Sequence, residues 1–247
     1  MRSGGAFERS YRLALYETRT SLSAHPSVFL PYARRRYPDG RVVGPGTKIT
    51  IDGFQRSANT FAVVAFESAQ PAPVRIAHHL HAVAQIAESV RRRIPTVVLI
   101  REPQACTLSH VIRNRYATPR IVLASWTRFY ERLLPLRDDV VIAPFEAVTK
   151  DLGKVIAATN ARFGTDFAPF EHDEANVEAC FRAIERQNTA RHGTVVETRV
   201  ARPSAVREEL REAGKLEVAA PELARLRSKA SAVYRTWLAT ADAQASS

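Results

Sequence analysis

Only two cysteines occur in the 247 residues, Cys106 and Cys180, and neither has a partner at C-x-x-C spacing. That excludes a disulfide framework and a cysteine zinc site, and it suits a reducing compartment. The opening residues, Met1 to Glu8, offer no apolar stretch of the kind a secretory signal needs. No run approaches the roughly 18 apolar residues of a membrane span. A cytoplasmic, water-soluble protein without a transmembrane segment is the expectation. There is no internal repeat, and low complexity is confined to the small-residue end from Ala239 to Ser247. The net charge of +11 is unusual. It fits nucleic acid, an anionic membrane, or acidic small molecules and glycans. No basic tail or basic–aromatic repeat accompanies it, and the densest runs are only Arg34-Arg35-Arg36 and Arg91-Arg92-Arg93. Nucleic acid is therefore not the expected partner.

What is present is a series of short β-branched runs alternating with helical patterns. Ile49 to Ile51, Val74 to Ala77, Thr96 to Ile100 and Val140 to Glu146 read as four strands. Thr96 to Ile100 is apolar throughout, as a strand buried on both faces would be. Helical spacing follows each strand, for example Val122, Trp126, Phe129, Tyr130 and Leu133. The pattern predicts a single α/β domain over residues 1–247. Its core spans 47–170 around a mainly parallel sheet, and a more helical, basic segment fills 171–240. Residues 1–46 read as a short helix or strand near Tyr11 to Tyr16, then loop punctuated by Pro26, Pro31, Pro38 and Pro45.

The most informative stretch is Ile49-Thr50-Ile51-Asp52-Gly53-Phe54-Gln55-Arg56-Ser57-Ala58-Asn59-Thr60-Phe61. A strand that turns at Gly53 and opens a helix points free N–H groups and the positive dipole end at the turn. Arg56 adds a permanent charge, and Ser57, Asn59 and Thr60 add short donors for phosphate-type oxygens. The stretch departs from the nucleotide-triphosphate loop G-x-x-x-x-G-K-[ST]: Ala58 stands for its second glycine and Asn59 for its lysine. A second anion signature follows. Arg101 closes the third strand, Pro103 suits the first position of a helix, and Ser109 lies on that helix. Between the two signatures, His78, His79 and His81 follow the second strand. Their spacing is wrong for an i, i+4 metal pair, so no metal is expected. They read either as polar loop residues or as a general base at the crevice end of a parallel strand.

Taken together, these stretches resemble the sulfotransferases that use 3′-phosphoadenosine-5′-phosphosulfate (PAPS). The segment from about Lys48 to Phe167 carries the resemblance. That family has a P-loop-like parallel α/β fold, here implying three layers. Its P-K-S-G-T-T loop is matched by Gln55-Arg56-Ser57-Ala58-Asn59-Thr60, and its Arg-x₇-Ser pair by Arg101 and Ser109. Its T-H-L-P histidine is matched by His79, and its Y-E-D-L strand end by Phe145-Glu146-Ala147-Val148. The resemblance implies transfer of a sulfonate group to a hydroxyl or amine of a small-molecule or glycan acceptor. In that reading His79 is the base and Arg56 stabilises charge. Residues 56–60, Arg101 and Ser109 hold the donor, Arg202 and Arg207 close over it, and Glu67 is a reserve base. The alternatives are a non-catalytic module for nucleic acid or polyanionic glycan, and a P-loop-type phosphotransferase.

Overall fold

The structure is a computed structural model describing residues 3–194 and 205–246. Four parallel strands form the sheet: β1 Ile49–Gly53, β2 Ile76–His78, β3 Thr96–Ile100 and β4 Val141–Pro144, in the order β2-β1-β3-β4. Every residue of β1 and β3 is buried, as expected for inner strands covered on both faces. Side chains alternate across the sheet. Ile49, Ile51, Val97 and Leu99 pack under α3 (Asn59–Ala69), α8 (Leu152–Phe163) and α9 (Glu174–His192). Val98, Ile100 and Ile142 face α4 (Val83–Arg91), α5 (Pro103–Arg113), α6 (Pro119–Leu133) and α11 (Ala224–Ala245). Three layers result, with the expected parallel sheet and helical C-terminal region. Buried large side chains such as Trp126, Trp237 and Phe66 each contribute roughly 1.5–3 kcal/mol relative to exposure.

The chain leaves β1 for β2 on one side, then crosses to β3 on the other. The loops after β1 and β3 therefore diverge, opening the crevice in which α/β proteins bind ligands. On the outer edge, the Gln244 amide of α11 accepts from Ile142 N (3.1 Å) and donates to Val140 O (2.8 Å), covering backbone groups that β4 leaves unpaired.

Three sequence expectations are corrected. The strand expected through Glu146 ends at Pro144, and Phe145–Lys150 forms α7. A proline offers no N–H to continue a ladder, so the strand stops there. Residues 3–22 form one long helix, α1 (Ser3–Leu22), instead of a short element. Pro26 and Pro31 do not punctuate a loop: Pro26 begins α2 (Pro26–Arg36), and Pro31 sits on its exposed side. Phe29, Leu30 and Ala33 bury the opposite side against residues of β2 and α4, which outweighs the hydrogen bond lost at Pro31. Finally, α10 (Ala205–Ala219) packs on α5, where Gly214 allows close approach: a Cβ there would stand 2.6 Å from Leu108 Cδ1.

Candidate functional site

The site starts at Gly53. A Cβ at this position would stand 2.1 Å from the Leu99 carbonyl oxygen, so only glycine lets β1 lie this close to β3. The loop that follows is strained, with Arg56 at φ +73° and Ala58 at φ +65° in the left-handed region. Its backbone is held at several points. Phe54 N donates to Tyr130 Oη (3.2 Å), which donates in turn to Leu99 O (2.7 Å). The Phe54 carbonyl accepts from Asn59 Nδ2 (3.0 Å), the Gln55 carbonyl from Cys106 Sγ (3.0 Å) and the Arg56 carbonyl from Arg101 Nη1 (3.2 Å). Ala58 occupies the N-cap of α3 and offers no capping side chain. The first N–H groups of that helix are thus left for an anion in the loop.

Asp52 organises the other half. The carboxylate is fully buried and accepts from Gly53 N (2.9 Å), Leu80 N (3.0 Å), His81 N (3.0 Å) and Gln85 Nε2 (3.1 Å). Burial alone would raise its carboxyl. Hydrogen bonds and charge from His81, with His79 nearby, outweigh burial and hold it below the usual carboxylate range. By fixing the turn after β2, Asp52 maintains left-handed backbone at His79 (φ +56°) and His81 (φ +50°), neither of which is glycine. That turn delays the helix, so α4 begins at Val83 and not at the histidines.

His79 is half-buried, with Nε2 3.2 Å from Thr60 Oγ1 and Nδ1 2.6 Å from His78 Nδ1. One proton serves the two Nδ1 atoms. When His79 donates it, His79 Nε2 carries the free lone pair. Burial, reinforced by the neighbouring histidines, lowers its pKa well below that of an ordinary imidazole, so it is neutral at pH 7. Burial likewise lowers His78 to about 4 and His110, packed against Tyr16 and Phe54, to about 3. These groups protonate more readily once unfolded, so between their folded values and about 6.5 the unfolded state binds more protons. Stability is therefore expected to fall as pH drops from 6.5 towards 4. The His110→Phe variant should flatten the dependence by about 1.4 kcal/mol per pH unit, one proton's share. Urea unfolding across this pH range measures it, and an unchanged slope would reject the buried neutral state.

On the α5 side, Arg56 Nε donates to Ser109 Oγ (3.0 Å), and the Arg101 guanidinium lies 4.0 Å from the Phe145 ring centre. Arg56 is thereby joined to the Arg101–Ser109 group, while Thr60 is the loop side chain bonded to His79. All these residues line one cavity of about 760 Å³, as do Ala58, Asn59 and Glu67. Ser57 is the exception: it is fully buried beneath the loop and absent from the cavity wall. Burial raises the Glu67 carboxyl at the cavity's exposed margin. Arg202 lies outside the described residues. Arg207 is carried by α10, one turn before Arg211, which lines the cavity and pairs with Glu208 at 2.8 Å. Arg113, one turn after Ser109, also lines it; their i, i+4 spacing was the available signal. Arg41 reaches the wall from the proline-rich segment because His78 N donates to its carbonyl (2.9 Å). Among the described residues, no group of three or more His, Cys, Asp or Glu is arranged to hold a metal ion, and no helix is long and apolar enough to cross a membrane. No protein-family model matches the chain, and no curated protein matches it.

Proposed function

We propose that the chain is a sulfotransferase, moving a sulfonate group from PAPS to a hydroxyl or amine of a small-molecule or glycan acceptor. One observation carries the reading. The β1 loop, the strand-end Arg101 with Ser109, and His79 belong to three separated segments, yet they line a single cavity. Five arginines, Arg41, Arg56, Arg101, Arg113 and Arg211, share its wall with Glu67 as the acidic member among the described residues. Such a wall fits a nucleotide with two phosphate-bearing ends. The volume lies within the range that holds a ligand of nucleotide size.

In this reading Arg101 and Ser109 bind the 3′-phosphate. Arg56, donating to Ser109, bridges that group to the β1 loop. The N–H groups opening α3 hold the phosphosulfate end, where negative charge grows on the leaving phosphate as the sulfur–oxygen bond breaks. His79 Nε2 takes the acceptor proton as the new bond to sulfur forms. Its Nδ1–H is oriented by His78, and Thr60 lies along the path to Nε2. In-line group transfer of this kind depends mostly on positioning and charge stabilisation.

The test is a thermal-shift or calorimetric titration with 3′,5′-adenosine bisphosphate beside 5′-AMP and magnesium-ATP. At about 100 times its dissociation constant, the bisphosphate should stabilise the fold by about 2.7 kcal/mol. Arg101→Ala should weaken it by at least about tenfold, through loss of a charge-assisted contact. Preference for magnesium-ATP would favour a phosphotransferase, and no response to any nucleotide would reject the donor site.

A further inference from the structure

The N-terminal helices present an unusual surface that plays no part in the cavity. Among the described residues, seven large hydrophobic side chains are exposed, and six lie on α1 and α2: Phe7, Tyr11, Leu15, Leu22, Val28 and Tyr32, between 42% and 76% exposed. Their placement is ordered. Phe7, Tyr11, Leu15 and Leu22 fall within a sector of about 80° at 100° per residue. Tyr16 and Ser23, on the opposite side, are buried. That inner side is anchored by Arg9 Nε to Tyr116 O, Arg19 Nη2 to Leu80 O, and Ala84 N to Ser23 O. The stripe therefore points away from the protein by construction. On α2, Val28, Tyr32 and Arg35 share the outer side, opposite buried Phe29, Leu30 and Ala33. Exposed apolar rows of this kind mark an interaction surface.

Charge identifies the occupant. Arg9 and Arg19 turn to the inner side, Arg12 pairs with Glu8 and Arg41 with Asp39, which leaves the arginine run ending α2 as the charge of this face. Exposed Arg34, Arg35 and Arg36 close α2 beside the apolar pair. Pairing this face with a second copy would set like charge against like charge. An anionic bilayer instead offers the acyl boundary to the aromatic and leucine side chains and phosphate to the arginines. We propose that α1 and α2 form a docking face for an anionic phospholipid membrane, with α1 lying in the plane of the headgroups. The inference is independent of the reaction assigned to the cavity.

Vesicle co-sedimentation of the full chain tests it, comparing pure phosphatidylcholine with vesicles containing roughly 30% phosphatidylserine. The protein should partition onto the anionic vesicles, weakly onto neutral ones, and less at about 0.5 M salt as the charges are screened. The double variant Tyr11→Ser, Leu15→Ser should lower partitioning by at least about tenfold, and Arg35→Glu should lower it further. Both positions are exposed, so the melting temperature should be unchanged, which separates loss of docking from loss of fold. Failure to bind anionic vesicles, or equal binding by the double variant, would overturn the proposal. So would a dimer that these substitutions dissociate in the absence of vesicle binding, which would assign the face to a second copy.

Discussion

In the proposed reaction, replacing His79 by alanine is expected to slow sulfonate transfer by about 10²–10⁴-fold, the usual contribution of a general base. Binding of 3′,5′-adenosine bisphosphate should change little, because His79 stands on the β2 side of the cavity and the Arg101–Ser109 group on the β3 side. The size of the effect follows from the proton. An acceptor hydroxyl attacks poorly while its proton remains, and His79 is the imidazole with one nitrogen oriented by His78 and the other beside Thr60 at the start of α3. Burial keeps this ring in the neutral form that a general base needs at pH 7. Release of the bisphosphate nucleotide from PAPS, followed over a panel of alcohols and amines, measures the change. Glu67→Gln is the companion variant. If it abolished turnover while His79→Ala preserved it, the base would be Glu67, whose carboxyl burial already raises.

The second large effect is on stability. Asp52→Ala should lower the unfolding free energy by about 3–5 kcal/mol, as breaking a buried charged network does. Four donors, three of them buried, would lose their acceptor together, and each unsatisfied buried group costs roughly 1–3 kcal/mol before relaxation. The midpoint of urea unfolding reports the loss. Asp52→Asn keeps the volume but turns one N–H donor toward other donors, so it should recover only part of the difference. A loss below about 1 kcal/mol in the alanine variant, the level of an ordinary surface change, would show that the turn after β2 holds its left-handed residues without the carboxylate.

Much of the architecture was legible because the strands are short, apolar and separated by helices with ordinary start and stop signals. Pro103 beginning α5 and Gly164 ending α8 are examples. What escaped is non-local. Asp52 is one acidic residue in an apolar strand, and only the packing of β2 and α4 shows that four donors converge on it. Arg41 belongs to a segment without periodic pattern and reaches the cavity by a backbone bond to β2. Phe145 reads as part of a strand running to Glu146, whereas the strand ends at Pro144 and the ring lies against Arg101. The Ser109–Arg113 pair was visible in helical spacing, but the orientation of Arg56 toward Ser109 was not, since it depends on the left-handed loop backbone.

The support beneath the β1 loop extends to α11. Trp237 Nε1 donates to the Tyr130 carbonyl (3.2 Å), and the Tyr130 hydroxyl links Phe54 N to Leu99 O, joining the loop to β3. Every described segment lining the cavity precedes α11 in the sequence, yet the brace under the β1 loop is complete only with α11 in place. A chain truncated before Trp237 would keep its strands and its cavity arginines while the β1 loop lacked this brace.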